Sequence, residues 1–283
     1  METPASIPAP LTTPVERLLP EPPDSAVAAL HMDGTAGVPN WTAAKVLVEH
    51  LFARGQANIA GVEYAVGYQL AHGLTGGDIV DVYHFDNDAV SFSIADISGK
   101  GTEAAIHAAM VKYGLRAYAS QGLTPERVLR SLDRLYIENN AFERIESFAS
   151  VFFGMVDVSR RIMTYASGGH EAAAVIVPGD RVQTIEPTAP LIGVFDDQHH
   201  LFKQSFIELP PGTLFVATTD GITEARSPAP EREFFGMERF LATIEEFAEA
   251  PAELIVRELI ERARAFSHDN LRDDVAVVAA RFP

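Results

Sequence analysis

Hydrophobic positions along this chain change period several times, and each change marks an element. Trp41, Ala44, Val48, Leu51 and Phe52 recur at helical spacing after Asn40, an N-cap residue type, until Gly55 ends the run. A short amphipathic helix is predicted there. From Val62 the period falls to two: Val62, Tyr64, Val66, Tyr68 and Leu70 alternate with smaller or polar residues, as in a half-buried strand. Residues 79–85 and 90–95 flank Asp86-Asn87-Asp88, whose side chains favour turns, and predict a hairpin. Residues 102–119 are apolar nearly all round, which predicts a helix buried between layers. Thr124-Pro125-Glu126 then opens a second helix with Val128, Leu129, Leu132 and Leu135 on one face.

Strand patterns follow at 151–158, 162–166, 173–177 and 202–209, punctuated by Gly168-Gly169, Pro178-Gly179-Asp180 and Pro210-Pro211-Gly212. A short buried strand at 214–218, helices at 237–247 and 252–266 and a closing strand at 275–280 complete the pattern. Strands and helices in separate blocks predict an α+β layered sandwich with antiparallel sheets. The first 25 residues differ from all of this. Pro4, Pro8, Pro10, Pro14, Pro20, Pro22 and Pro23 interrupt any helix, so 1–25 reads as a disordered tail and 26–58 as a helical N-terminal extension.

Composition narrows the chemistry. With 283 residues and 47% hydrophobic content the chain can bury a full core. It has no cysteine, which removes disulfides, thiolate metal sites and cysteine nucleophiles. A formal charge of -17 repels phosphate backbones and anionic lipid, so neither nucleic acid nor a membrane is an expected partner, whereas divalent cations are. No apolar run is long enough to span a bilayer, and the start is neither basic nor apolar; a cytoplasmic protein is expected.

Aspartates stand beside apolar strands at four places. Asp78 precedes Ile79, Asp96 follows Ile94-Ala95, Asp220 follows the 214–218 strand, and Asp273-Asp274 precede Val275. A strand-end carboxylate next to glycine can approach an ion closely, and carboxylates gathered in one place would need cations or raised pKa values. Each taken singly is also a turn or capping residue type.

Five blocks in order carry a resemblance: Gly76-Gly77-Asp78-Ile79-Val80-Asp81; Asp96-Ile97-Ser98-Gly99-Lys100-Gly101 with Ala104-Ala105; Ser167-Gly168-Gly169-His170; Thr219-Asp220-Gly221-Ile222-Thr223-Glu224-Ala225; and Asp273-Asp274-Val275. Together they resemble the bacterial type 2C (PPM) protein serine/threonine phosphatases of the sporulation-stage-II-E and sigma-B-regulator kind. The resemblance implies a four-layer αββα sandwich over 59–283 and a site for two Mn²⁺ or Mg²⁺ ions. By motif position, Asp96 would bridge the metals, the Ile97 carbonyl would add an oxygen, and Asp78, Asp220 and Asp273 would supply the other carboxylates. Asp81 and Asp274 would be outer members. Hard oxygen donors suit these cations, and a water activated between them would hydrolyse a phosphoserine or phosphothreonine ester. Ile79-Val80, Ala276 and Glu103 depart from the family pattern, but none is an expected ligand.

Other signals weigh less. Asp86-Asn87-Asp88-Ala89-Val90 fits an aspartyl-phosphate motif but precedes a strand, where a turn is expected. Ser98-Gly99-Lys100-Gly101-Thr102 lacks the first glycine of a phosphate loop, leaving Lys100 open between a phosphate contact and a solvated lysine. Ser167 lacks a nucleophile elbow because Tyr165 stands in the glycine position. His170 reads as a structural histidine held by backbone, and Asp196-Asp197-Gln198-His199-His200 as a solvated loop.

The resemblance points to a phosphorylated anti-sigma-factor antagonist as substrate. A catalytically silent domain that sequesters a signalling partner is the alternative, disfavoured by the retained carboxylates. About 60 residues precede the expected domain, fewer than a typical sensor fold needs, so control is expected from an activator protein or from a homodimer formed through the 41–52 helix.

Overall fold

A computed structural model describes residues 55–71, 76–85, 89–195, 201–230 and 232–283. The expected tail, the 41–52 helix, the 86–88 turn and the 196–200 loop lie outside these.

Alternation of side chains builds two antiparallel sheets. The first runs β1 (Gly55–Ile59), β2 (Val62–Gln69), β11 (Val275–Arg281), β10 (Leu214–Thr218), β7 (Ala173–Ile176) and β8 (Gln183–Thr184) in that spatial order. The second runs β3 (Ile79–Phe85), β4 (Ala89–Ile97), β5 (Ala149–Asp157), β6 (Ile162–Gly168) and β9 (Ser205–Glu208). On β4, Val90, Phe92 and Ile94 point between the sheets, while Ala95 and Ile97 point outward under helices. On β11, Ala276, Val278 and Ala280 face inward and Val275, Val277 and Ala279 outward. Such strands are buried on both faces, which is why 275–280 reads as one apolar run.

Phe152 and Phe215 stack between the sheets at 5.2 Å, with Phe92 tilted against Phe215 at 5.9 Å. Each such ring contributes about 1.5–3 kcal/mol by leaving water. Helices α1 (Gly101–Ala119) and α2 (Pro125–Glu143) cover the second sheet through Leu115, Val128, Leu129 and Leu132. The short α3 (Asp220–Thr223) follows β10, and α4 (Gly236–Glu246) and α5 (Ala252–Phe266) cover the first sheet through Phe240, Ile244, Ile255 and Leu259. The architecture is therefore the expected αββα sandwich. No helix among the described residues is long and apolar enough to cross a membrane.

Three expectations change. The helix at 102–119 is an outer-layer helix, with Ile106 63% and Tyr113 47% exposed; its apolar character does not bury it on every side. Strand pairing begins at Gly55 rather than after residue 58, since β1 pairs with β2 from Gly55 opposite Val66. The pattern at 202–209 yields only Ser205–Glu208 as strand.

Candidate metal centre

The ends of the central strands converge on one cavity of about 480 Å³, lined by Asp78, Asp96, Ile97, Asp220 and Asp273. All five expected ligand residues are brought together. Asp78 enters from the turn ahead of β3, Asp96 and Ile97 end β4, Asp220 opens α3 just after β10, and Asp273 precedes β11. Glycines make the approach possible. A Cβ on Gly77 would lie 2.6 Å from the Ile97 carbonyl oxygen, and one on Gly221 would lie 1.8 Å from the Asp274 carbonyl oxygen, so neither position admits a side chain without displacing backbone.

Supporting contacts fix the floor. The Thr219 hydroxyl donates to Asp78 Oδ2 at 2.5 Å and accepts from the Ala276 amide at 2.9 Å, tying β10 to β11 and aiming the Asp78 carboxyl. Asp274 lies behind the lining. Its Oδ1 accepts from the Ala71 amide at 2.9 Å, and Oδ2 would sit 1.8 Å from a Cβ at Gly76.

Electrostatics set these carboxyls apart. Burial, then the charges of Asp96, Asp274 and Asp220, push Asp78 well above the usual carboxylate range against the opposing hydrogen bond from Thr219. Asp96 is raised by burial and by Asp273 and Glu224, with a hydrogen bond from Asp78 acting the other way. Asp220 is pushed up to about 7, by burial first and then by Asp96, Glu224 and Asp273. Asp274 is pushed up to about 6, chiefly by burial. Among the described residues, no three His, Asp or Glu side chains already close on one point as a finished ligand cage. Burial and crowding instead raise these carboxyls, as expected of acidic groups that face one another.

The donor set fits a hard divalent cation: carboxylates and a carbonyl oxygen, with no cysteine thiolate in the chain.

Neighbouring residues sort differently. Asp81 does not belong to the centre: Arg116 grips it through two hydrogen bonds of 2.6 and 2.7 Å, and Lys112 lies 3.4 Å away. The period of the strand explains this, because Asp81 shares a face with Ile79, toward α1. Ser167 is fully buried and its hydroxyl donates to the His170 carbonyl at 2.8 Å, a structural role. His170 lines the cavity yet is buried. Its Nδ1 is 3.0 Å from the Ser150 hydroxyl, and burial pushes the ring down to about 4, so it is neutral at pH 7. The Thr218 backbone lies close enough to oppose that shift, but Nε2 meets no partner in hydrogen-bonding geometry. Glu224, Glu171, Phe148 and Met237 also line the cavity, and sequence reasoning did not single them out. Only Glu224 left a signal, four residues beyond Asp220.

A two-sheet sandwich with carboxylates at its strand ends is the type 2C phosphatase fold. The SiaA-PP2C domain of Pseudomonas aeruginosa superposes with a TM-score of 0.65 at 19% identity, over 78% of this chain and 85% of that one. The catalytic domain of the serine threonine protein phosphatase PstP, solved in complex with 2 manganese ions, superposes with a TM-score of 0.57 at 14% identity, over 78% and 97%. The family described as Stage II sporulation protein E (SpoIIE) matches residues 86–283, and the chain belongs to it. Phosphoserine phosphatase RsbU of Bacillus subtilis (strain 168) is 28% identical over 204 residues, 71% of this chain. The chain spans 58% of the length of RsbU.

Proposed function

We propose that this chain is a metal-dependent protein serine/threonine phosphatase hydrolysing a phosphoserine or phosphothreonine monoester. The observation that carries the reading is the convergence of Asp78, Asp96, Asp220 and Asp273 from separate strands on one cavity. These carboxylates, with the Ile97 carbonyl, would hold two Mn²⁺ or Mg²⁺ ions. Such ions, when bound, acidify water and neutralise phosphoryl oxygens.

The chain's own residues do the positioning. Thr219 orients Asp78 and locks β10 to β11, so the carboxylates meet a ligand without rearranging their strands. His170 is held neutral against Ser150 and adds no charge to the floor. Phe148, Leu191 and Met237 supply apolar wall to the cavity and limit water around a bound ester. No covalent phosphoenzyme is required, which agrees with the absence of cysteine and the burial of Ser167.

The name of RsbU supports phosphoserine as the substrate class. A phosphorylated anti-sigma-factor antagonist, a cytoplasmic setting, and control by an activator or by dimerisation through the 41–52 helix complete the proposal. The phosphatase domain would run from about Gly55, where strand pairing starts, to the C-terminus. The test is hydrolysis of a phosphoserine peptide by the full chain with Mn²⁺, with EDTA, and as Asp220→Asn. Turnover should require the metal and fall by roughly 10²-fold or more in the variant, the scale of removing one electrostatic group from a site. Metal-independent turnover, or an undiminished variant, would overturn the reading.

A further inference from the structure

The cavity poses a charge problem that its floor does not solve. Even with Asp78, Asp96, Asp220 and Asp273 offset by the two ions proposed above, Glu171 and Glu224 also line it and the whole chain carries -17, so a phosphomonoester dianion approaches against a negative field. Among the described residues lining the cavity, Lys100 is the single lysine or arginine.

Its setting suits a cation that changes partners. Lys100 lies between Gly99 at φ 105° and Gly101 at φ 73°, a turn that presents its side chain at the mouth just before α1 begins. That side chain is 76% exposed. Its present contacts are loose: Nζ donates to the Arg272 carbonyl at 3.5 Å and lies 3.9 Å from Asp273 Oδ2. Neither holds the ammonium firmly, so moving it costs little. Asp273 is also one of the carboxylates proposed to take a cation. Once its charge is satisfied from that side, Lys100 loses its acidic partner and its three donors are available to an incoming anion.

We infer that Lys100 is the residue that receives the substrate phosphoryl group at the cavity mouth, a specificity-determining cation that pairs with Asp273 until a metal ion takes that carboxylate. This rests on the phosphatase reading and assigns within it the group that favours a phosphomonoester over uncharged esters.

The test compares wild type, Lys100→Met and Lys100→Arg as full chains. Inorganic phosphate is titrated calorimetrically into Mn²⁺-saturated protein, Mn²⁺ affinity is measured separately, and phosphoserine-peptide kinetics are recorded. Losing one charge-assisted contact should weaken phosphate binding and raise KM by roughly 10- to 100-fold in Lys100→Met. Mn²⁺ affinity should be unchanged or tighter, and Lys100→Arg should recover most of the loss. Unchanged phosphate affinity in Lys100→Met would overturn the inference. So would phosphate and Mn²⁺ affinities falling together, because Lys100 would then only shape Asp273, and so would a wild type that binds no phosphate. A wild type without Mn²⁺-dependent turnover would instead sink the phosphatase reading, while the phosphate titration would still decide the role of Lys100.

Discussion

Asp78, just ahead of β3, and Asp81, within it, are buried to 3% and 4% exposure, yet their surroundings differ in kind. Asp81 meets Arg116 and Lys112 from α1, and Arg116 also lies over the Tyr83 ring at 4.4 Å. Asp78 meets a threonine hydroxyl and the carboxyls of Asp96, Asp274 and Asp220. The first carboxylate is neutralised from within the fold and pins a helix to a sheet edge. The second is surrounded by charge of its own sign, a cost the fold bears only if something outside the chain offsets it. A buried carboxylate is thus informative through its partners rather than through its burial.

Breaking the internally paired site should have the largest effect on stability. Asp81→Ala leaves Lys112 and Arg116 without their carboxylate and should cost about 3–5 kcal/mol, read by urea unfolding. Added Mn²⁺ should not restore it; restoration would mean that the two acidic sites are one.

The externally paired site should respond in metal affinity. Thr219→Val removes the hydroxyl that aims Asp78 and receives the Ala276 amide, and should weaken Mn²⁺ binding by roughly 10- to 100-fold, as for groups that orient ligands. Unchanged affinity would show that Asp78 needs no aiming.

A smaller effect sharpens the contrast through pH. Asp220 has a folded pKa of about 7 against an ordinary 3.8, so the folded state holds its proton more tightly than the unfolded chain. That contribution to stability is present below about 3.8 and is lost as pH rises through about 7. Asp220→Asn, which cannot ionise, should match the metal-free wild type near pH 4, become the more stable protein as pH rises to about 7, and keep a constant advantage above it. A pH-independent difference in chelator would contradict the crowding argument.

Much of the fold was legible because its central strands are periodic. The alternation in 62–70 and the apolar run at 275–280 return as β2 and β11, and the 252–266 helix returns with the same bounds as α5. The edge strands β1 and β8 were missed for a physical reason: Gly55–Ile59 and Gln183–Thr184 are short and mostly exposed, with Ala57 and Ile59 their only apolar side chains, so backbone pairing chiefly defines them. The α1 surface misled because Ile106 and Tyr113 are apolar yet exposed. At the site, each aspartate announced itself as a strand-end residue, but sequence separation hides convergence: Asp78 and its hydrogen-bond partner Thr219 are 141 positions apart. Asp81 was expected as an outer member of the site because its partners, Lys112 and Arg116, lie a helix away in sequence.

The most direct measurement is calorimetric titration of Mn²⁺ into the metal-free full chain at pH 6.5, repeated in two buffers of different ionisation enthalpy. Asp78, Asp96 and Asp220 are raised by burial and by neighbouring carboxylates, so cation binding should release protons, and the heats should differ between buffers. Asp220→Asn should bind more weakly and release fewer. No binding, or binding with identical heats in both buffers, would contradict a carboxylate cluster that exchanges protons for metal.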